Sequence, residues 1–262
     1  MYFLGIDIGS LSCDAVLIDE NKKILSSSVI PTGAIIIKSV TQVKKNILDA
    51  SGILEKDIQS IITTGYGRAQ VKERDGAVTE IACHAKGIKH VIPATQVLID
   101  IGGQDSKVMS LNPDGNVVDF AMNDKCAAGT GRFLEAMARI LDVDINELGD
   151  LDKGATSDLI ISSRCAVFAE SEVVSLIARG IKQKEIAKGL NRAIAARTNS
   201  LFYRIAKNTN CLVVSMSGGV ARNRGVVKAI AEIMNVERIH TPEKPDIIGA
   251  LGAAIIAHER MV

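Results

Sequence analysis

The sequence predicts an α/β protein built from two duplicated lobes. The tetrapeptide Ile-Asp-Ile-Gly occurs at positions 6–9 and again at 99–102, and each copy ends a hydrophobic strand and precedes the same strand–turn–strand arrangement. Hydrophobic residues make up 47% of the 262 residues, so two cores can be filled. We therefore expect a first lobe over residues 1–95, completed by a C-terminal helix over 246–262, and a second lobe over 96–245.

The first lobe is predicted to start with three strands, of which the first runs from Tyr2 to Ile8 and ends at the turn Gly9-Ser10. Apolar residues at helical spacing then predict a helix over 35–50, which ends at Ser51-Gly52. The other predicted elements of this lobe are strands over about 14–19, 24–30 and 60–64 and a helix over 78–91.

The second lobe repeats this beginning. Its first strand, over 97–101, ends at Gly102-Gly103, and Asn112-Pro113-Asp114-Gly115 is a strong hairpin-turn sequence between the next two strands. Periodicity then predicts helices and alternating elements to the end of the chain. The other predicted elements are strands over 106–111, 116–122, 212–216 and 236–240 and helices over 129–141, 166–180, 183–207, 221–234 and 247–260.

The composition argues against several classes of protein. The chain carries 31 Lys and Arg against 30 Asp and Glu, and this balance disfavours a nucleic-acid partner. Because the sequence has neither a run of about 18 apolar residues nor a basic-then-apolar leader, we expect a cytoplasmic protein without a membrane partner. Its five cysteines include no CxxC pair, so neither disulfide stapling nor a zinc knuckle is predicted.

Both copies of the repeated tetrapeptide have the features of a phosphate-binding turn. Glycine lets backbone N–H groups approach phosphate oxygens closely, and a hairpin turn aims several donors at one anion. Asp7 and Asp100, at the two strand ends, supply hard oxygen ligands for Mg²⁺. Two such hairpins facing each other across a cleft would hold a polyphosphate from both sides. Glycine turns after core strands are the alternative interpretation.

A third glycine cluster, Ser217-Gly218-Gly219, lies between a predicted strand and a predicted helix. Small residues there would let a nucleoside lie against the backbone near a helix N-terminus. Many strand–helix junctions look similar, so a plain packing role stays open. Small residues also dominate positions 249–254 of the C-terminal helix, which suits close helix contact or a hinge.

In order and spacing, these segments resemble the phosphate-1, phosphate-2, adenosine and connecting elements of the actin, heat-shock chaperone and sugar-kinase superfamily. The resemblance implies two ribonuclease-H-like lobes with ATP or ADP and Mg²⁺ in the cleft between them. It implies that Asp7 and Asp100 organise Mg²⁺ and that Gln104 or Asp105 positions the attacking water. The implied nucleotide-binding residues are Gly9, Ser10, Leu11, Ser12, Cys13, Asp14, Gly102, Gly103, Gln104, Gly218, Gly219, Asn223 and Pro242.

Two cysteines share an unusual context. Cys126 and Cys165 each follow a basic residue, precede an alanine and stand at or near the start of a predicted helix. A helix N-terminus and a neighbouring cation both stabilise a thiolate. A [4Fe–4S] cluster needs four thiolates, so two such cysteines per chain would require a homodimer; reactive or merely buried thiols fit the pattern equally well. Cys13, Cys83 and Cys211 are expected to be buried structural thiols.

The segments around these two cysteines narrow the resemblance. The blocks over 123–135 and 168–173 and the segment over 64–68 resemble the activator ATPases of 2-hydroxyacyl-CoA dehydratases, which belong with the ATPase subunits of benzoyl-CoA reductase. The resemblance implies one [4Fe–4S] cluster per homodimer, with Cys126 and Cys165 as its ligands. It also implies ATP-driven transfer of low-potential electrons to a partner iron–sulfur enzyme, with ferredoxin or flavodoxin as the electron donor.

The chain departs from this family pattern at three places. Leu11 and Asp14 stand where dehydratase activators typically carry Thr and Lys, and Arg164 replaces an expected Thr. Residues 31–34 stand in place of a longer Gly/Thr loop. The partner therefore remains open between a dehydratase-like enzyme and a double-cubane iron–sulfur protein. Two other functions also remain open, a sugar or acyl kinase without a cluster and a non-enzymatic switch of the same fold.

Overall fold

In the computed structural model, which describes residues 1–162, 165–205 and 212–261, the chain divides into two units. The first unit comprises Met1–Ala94, Leu111–Val117 and Pro242–Val262, and the second comprises Thr95–Ser110 and Val118–Thr241. Each unit is built on its own β-sheet.

The described residues form nine β-strands and seven α-helices. Within this part of the chain, no helix combines the length and the apolar character that a membrane crossing needs. The strands are β1 (Tyr2–Ile8), β2 (Ser12–Asp19), β3 (Ile24–Pro31), β4 (Ile58–Thr64), β5 (Gly76–Ala77), β6 (Val97–Ile101), β7 (Ser106–Leu111), β8 (Val117–Asn123) and β9 (Val214–Ser217). The helices are α1 (Ile36–Ser51), α2 (Glu80–Val91), α3 (Gly131–Leu141), α4 (Ala166–Ala178), α5 (Gln183–Ile205), α6 (Arg224–Met234) and α7 (Ile248–Glu259).

The sheet of the first unit has the strand order β3-β2-β1-β4-β5. Its central strand β1 pairs antiparallel with β2 and parallel with β4. Helices cover both faces of this strand, because Leu4 and Ile6 pack with α1 whereas Phe3 packs with α7. A strand that is buried on both faces has an almost continuous hydrophobic sequence, which explains the composition of β1.

Helix α7 lies directly against β1 and α2. A Cβ atom on Gly5 would stand 1.9 Å from the carbonyl oxygen of Ala250, and one on Gly252 would stand 1.7 Å from that of Cys83. Both contacts therefore require glycine, since any side chain would overlap the neighbouring backbone. The close helix contact predicted for residues 249–254 is present within the first unit.

The sheet of the second unit has the strand order β8-β7-β6-β9. Its strand β6 pairs antiparallel with β7 and parallel with β9, as β1 does with β2 and β4. A single hydrophobic core joins this sheet to α3, α4, α5 and α6. The duplication predicted from the repeated tetrapeptide is thereby confirmed.

The start of α6 differs from the prediction. Residues Gly219–Arg222 form a short 3-10 turn, and the α-helix begins at Arg224 rather than at 221. The side chain of Asn223 accepts a hydrogen bond of 2.9 Å from the N–H of Val226 and so caps the helix.

The strand predicted over 236–240 is wrong. Asn235 adopts left-handed backbone after α6, and the N–H of Val236 bonds back to the last turn of that helix. These residues therefore complete the helix end and do not extend along the sheet. His240 alone forms a parallel bridge, to Ser215.

Candidate functional site

Each unit carries one tight β-hairpin at the end of its central strand. In the first unit, the N–H of Gly9 donates to the carbonyl of Ser12 at 2.9 Å and closes the turn between β1 and β2. In the second unit, the N–H of Gly102 donates to the carbonyl of Asp105 at 3.0 Å and closes the turn between β6 and β7. The two turns predicted to bind phosphate are thus closed by equivalent hydrogen bonds.

The aspartates of the repeated tetrapeptide occupy equivalent positions. Asp7 and Asp100 are both buried, and each faces one residue directly across its hairpin, Asp14 for the first and Lys107 for the second. Directly opposite residues in an antiparallel pair lie on the same face, with Cβ atoms about 4.5–5.5 Å apart. Each aspartate therefore has a fixed partner across the hairpin, and the two partners carry opposite formal charges.

A glycine with left-handed backbone lies over each of these aspartates. Gly65 has a φ of 83° and Gly218 has a φ of 81°, and both follow the residue that pairs with the aspartate on the parallel neighbouring strand. A Cβ atom on Gly65 would stand 2.3 Å from Oδ1 of Asp7, and one on Gly218 would stand 2.9 Å from Oδ1 of Asp100. Sequence reasoning placed these glycines in unrelated motifs. A Thr-Gly or Ser-Gly pair after a buried strand in each half was the signal that it missed.

Opposite charges meet at the hairpin of the second unit. Lys107 is 1% exposed, and its Nζ lies 2.8 Å from Oδ1 of Asp105 and 3.5 Å from Oδ2 of Asp100. The hydroxyl of Ser217 donates to Oδ1 of Asp100 at 2.9 Å. A buried ion pair is tolerated when further hydrogen bonds, such as that from Ser217, satisfy its atoms. The hairpin of the second unit therefore carries its own cation beside its carboxylates.

In the first unit a carboxyl group takes the place of that ammonium. Oδ2 of Asp14 accepts a hydrogen bond of 3.0 Å from Ser12, whereas its buried Oδ1 has no hydrogen-bond partner among the described residues. Burial raises the pKa of Asp14 to about 8, and the negative charges of Asp7 and Asp246 add to this increase. The pair of opposed carboxyl groups therefore favours either a bound proton or a bound cation.

Asp7 has neighbours that come from two helices. Nε2 of the buried His84, on α2, lies 3.5 Å from Oδ2 of Asp7. A Cβ atom on Gly249, at the start of α7, would stand 2.0 Å from the same carboxylate oxygen. Sequence reasoning missed both residues, because α2 and α7 lie far from β1 along the chain.

The turn of the second hairpin is bonded to α3. The N–H of Gly131 donates to the carbonyl of Gly102, and that of Arg132 donates to the carbonyl of Gly103, both at 2.9 Å. A Cβ atom on Gly131 would stand 3.2 Å from the same carbonyl oxygen of Gly102, so the approach is close. Gln104 is exposed at this turn and accessible to a ligand.

The residues predicted to contact the nucleoside lie in different settings. Gly218 and Gly219 follow β9, and Gly218 lies next to Asp100. Asn223 caps α6 through its Oδ1, and its buried Nδ2 has no hydrogen-bond partner in the described parts of the chain. Pro242 is buried and belongs to the first unit. The structure thus brings Gly218 to the aspartate and gives Asn223 a helix-capping role.

Four of the five cysteines lie in the described residues, and they form two groups. Cys13 on β2 and Cys83 on α2 are fully buried, and burial raises the pKa of each thiol to about 12. Cys126 and Cys165 are partly exposed and both belong to the second unit. The first two cysteines are buried as expected, whereas Cys211 lies outside the described residues.

The two partly exposed cysteines differ in their position relative to a helix. Cys165 is the N-cap residue of α4, as predicted, although its basic neighbour Arg164 lies outside the described residues. Cys126 lies in a loop before α3, which starts at Gly131 and not at 129. Gly129 has left-handed backbone, with a φ of 88°, and this conformation keeps the preceding loop from joining the helix.

Hydrogen bonds hold the loop that carries Cys126. Nδ2 of Asn123 donates to the carbonyl of Cys126 at 2.9 Å, and the hydroxyl of Thr130 donates to the carbonyl of Ala127 at 2.6 Å. The helix that follows, α3, packs against α4, which begins after Cys165. Across the described residues of this single chain, no group of three or more His, Cys, Asp or Glu side chains is arranged to hold a metal ion.

Helix α4 presents apolar side chains to solvent. Phe168 is 70% exposed, and Val167, Val174 and Ile177 on the same helix are also exposed. Exposed apolar side chains grouped on one helix make it a candidate interaction surface. The surface begins directly after Cys165.

Comparisons with known proteins identify similar sequences over almost the whole chain. Residues 4–257 match the model of the BadF/BadG/BcrA/BcrD ATPase family. The chain is 44% identical over 259 residues to the activator of lactoyl-CoA dehydratase from Anaerotignum propionicum, with 99% of this chain and 98% of the relative covered.

Solved structures resemble the chain at two levels. The structure of the activator of 2-hydroxyisocaproyl-CoA dehydratase from Clostridium difficile with bound ADPNP is 41% identical, with a TM-score of 0.93 and coverage of 99% of this chain and 95% of that one. A ROK family glucokinase from Streptomyces griseus, in complex with glucose and AMPPNP, is 13% identical with a TM-score of 0.59 and coverage of 99% and 100%, so the likeness extends to the fold alone. The predicted fold of the actin, heat-shock chaperone and sugar-kinase superfamily is confirmed.

Proposed function

Because the chain belongs to the BadF/BadG/BcrA/BcrD ATPase family, we propose that it hydrolyses ATP to deliver low-potential electrons to a partner iron–sulfur enzyme. One observation carries the electron-transfer part of this proposal. Of the four described cysteines, the two partly exposed ones lie in one unit, one before each of two helices that pack together. A sugar kinase would not require two accessible thiols placed in this way.

The two hairpins are proposed as the phosphate-binding elements. The backbone N–H groups of the turns from Gly9 to Asp14 and from Gly102 to Asp105 would bind phosphate oxygens. Asp7 and Asp100 would orient Mg²⁺, and Gln104 or Asp105 would position the attacking water. The ADPNP bound to the Clostridium difficile relative supports ATP and ADP as the nucleotides.

The cysteines fit half of a [4Fe–4S] site. Such a cluster needs four thiolate ligands, and Cys126 and Cys165 supply two accessible thiols per chain. Cys13 and Cys83 do not fit, because they are fully buried and belong to the first unit. When bound, the cluster would supply a one-electron carrier of low potential.

A second copy of the chain would supply the other two ligands. A shared cluster places two copies about a twofold axis, so that the same surface of each copy faces the other. The exposed apolar side chains of α4 begin beside Cys165, where such an interface would lie. A homodimer therefore accounts for both the half-site and the exposed apolar helix face.

A chain of contacts within the second unit supports coupling between nucleotide and cluster. Hydrogen bonds join the turn at Gly102 and Gly103 to the first residues of α3, which also follows the Cys126 loop. Helix α3 in turn packs against α4, which follows Cys165. A change in the turn on hydrolysis would displace these helices and alter how Cys126 and Cys165 are held.

The acceptor is proposed to be a 2-hydroxyacyl-CoA dehydratase type of enzyme or a double-cubane iron–sulfur protein. The name of the Anaerotignum propionicum relative, an activator of lactoyl-CoA dehydratase, supports the first. Asp14 stands where dehydratase activators typically carry lysine, and this departure keeps the second acceptor open. Ferredoxin or flavodoxin is the proposed donor.

An anaerobic electron-transfer assay tests this function. Dithionite-reduced protein would be mixed with a one-electron acceptor dye and either ATP or ADPNP, and dye reduction and phosphate release would be followed together. We expect fast dye reduction in wild type and in Cys83→Ser when ATP is added, but not when ADPNP is added. Cys126→Ser should lose this dye reduction and should still bind ATP. An iron-free wild-type protein that phosphorylates a sugar would overturn the proposal.

A further inference from the structure

We propose that the first unit binds a divalent cation between Asp7 and Asp14, at the position that the ammonium of Lys107 fills in the second unit. This cation would be additional to the Mg²⁺ that accompanies ATP. The inference rests on the proposed nucleotide binding, since nucleotide phosphates complete its coordination.

The duplicated geometry locates the cation. Asp14 and Lys107 both stand seven residues after the aspartate of the repeated tetrapeptide, and each lies directly opposite that aspartate across its hairpin. In the second unit, the ammonium of Lys107 contacts two carboxylates, on Asp100 and Asp105. In the first unit the same place is occupied by a second carboxyl group, so a positive charge is replaced by a negative one.

The site contains an oxygen that points to a missing ligand. Asp14 is 5% exposed, and its Oδ1 has no hydrogen-bond partner among the described residues, although Asp14 shares one sheet face with Asp7. An unsatisfied buried oxygen is costly, and a cation would satisfy it. Gly65 and Gly249 let the backbone pack close to the carboxylate of Asp7, where a Cβ atom would overlap its oxygens.

The electrostatics favour a cation as well. The acidic side chains of Asp7 and Asp246 lie near Asp14, together with the imidazole of His84 and the hydroxyl of Ser12. The surroundings of Asp14 are thus predominantly acidic, and a divalent ion would offset that charge.

The ligand chemistry indicates an ion of the Mg²⁺ class. Two carboxylates are hard oxygen ligands, and Mg²⁺ in nucleotide sites is held by one or two carboxylates together with phosphates and water. Because the described residues supply no group of three metal-binding side chains here, binding should be weak in the protein alone. We expect the affinity to rise when nucleotide phosphates are present.

Mn²⁺ counting by electron paramagnetic resonance tests the proposal, with Mn²⁺ as the probe and ADPNP as the nucleotide. Wild type should bind two Mn²⁺ per chain when saturated with ADPNP. Asp14→Asn and Asp14→Lys should each bind one, and the lysine variant should retain ADPNP affinity because its ammonium replaces the cation. The exposed Asp57→Asn is the matched control and should bind two.

The outcomes separate this inference from the proposed function. Wild type that binds ADPNP with a single Mn²⁺, as the Asp14 variants do, would overturn the cation site and leave ATP binding intact. Wild type that binds no ADPNP at any Mn²⁺ concentration would overturn both. Two Mn²⁺ in wild type and one in both variants would support the site.

Discussion

The two hairpins share a backbone and differ in charge. In the second unit, the ammonium of Lys107 contacts two carboxylates, and the turn is bonded to α3. In the first unit, Asp14 faces Asp7, and one of its oxygens has no hydrogen-bond partner in the described residues. The two hairpins therefore have the same backbone arrangement, but only that of the second unit has an ammonium group opposite its aspartate.

This difference separates two tasks. The hairpin of the second unit supplies its own cation and is joined through α3 to the segment that carries Cys126. The hairpin of the first unit depends on what it binds, because two opposed buried carboxyl groups are stable only with a proton or a cation between them. We interpret the first unit as the more ligand-dependent half. Under the proposed function, the second unit would link the nucleotide to electron transfer.

The largest effect on activity is expected from substituting the two equivalent aspartates, one in each hairpin. Asp7→Asn and Asp100→Asn should each lower ATP turnover by about 10²–10³-fold, because each removes a carboxylate proposed to orient Mg²⁺ at the transferring phosphate. Steady-state phosphate release measures this, and iron content should stay at the wild-type level. Near-normal turnover in one of the two variants would break the equivalence of the hairpins.

Substitutions of the residues opposite these aspartates, Lys107 and Asp14, should have different effects on the free energy of unfolding. Lys107→Met leaves the buried Asp100 without its cation and should lower the free energy of unfolding by about 3–5 kcal/mol. Asp14→Asn should instead raise it at pH 7, by up to about 4 kcal/mol, since an amide avoids the proton that the Asp14 carboxyl must take up on folding at this pH. Urea titrations of metal-free protein compare the two, and equal losses would contradict the charge difference.

The pH dependence sharpens the same contrast. Because the pKa of Asp14 is raised from 3.8 to about 8, the folded state holds a proton that the unfolded state releases. This contribution to stability is complete below pH 3.8 and is lost as the pH rises through about 8. Between these values the free energy of unfolding should fall by up to about 1.4 kcal/mol per pH unit.

Urea titrations of wild type and Asp14→Asn in EDTA, from pH 5 to 9, measure this slope. The free energy of unfolding of Asp14→Asn should depend less steeply on pH than that of wild type, and the difference in slope should correspond to about one proton. Parallel curves would show that Asp14 does not hold the proton.

The smallest effect is expected at the contact between the second hairpin and α3. A methyl group in Gly131→Ala would stand 3.2 Å from the carbonyl oxygen of Gly102 and should push the turn and the helix apart by a few tenths of an ångström. We expect severalfold fewer electrons delivered per ATP hydrolysed, with a smaller change in ATP turnover. An unchanged ratio of electrons to phosphate would remove this contact from the coupling path.

The sequence predicted the parts of the fold that depend on local signals. The repeated Ile-Asp-Ile-Gly led to the duplication, because a strand end and a tight turn are encoded within a few residues. Asn223 shows the limit, since its capping bond moved the start of α6 by three residues from the predicted 221 to Arg224. The two-residue strand β5 and the bridge at His240 are too short to leave a periodic pattern.

The site was less predictable because its neighbours come from distant segments. Asp7 and Asp100 were found from the repeat, but His84 and Gly249 reach Asp7 only through the packing of α2 and α7. Counting seven residues from each repeated aspartate would have paired Asp14 with Lys107. The bonds between Gly102 and Gly131 depend on tertiary structure and leave no sequence signal.

Iron content and oligomeric state, measured together on anaerobically purified protein, test the central claim most directly. A cluster shared by two copies predicts a dimer with about two irons per chain, and Cys126→Ser and Cys165→Ser should each lose the iron and shift the protein toward monomer. Cys83→Ser should keep both the iron and the dimer. Four irons on a monomer, or full iron in Cys165→Ser, would contradict the account.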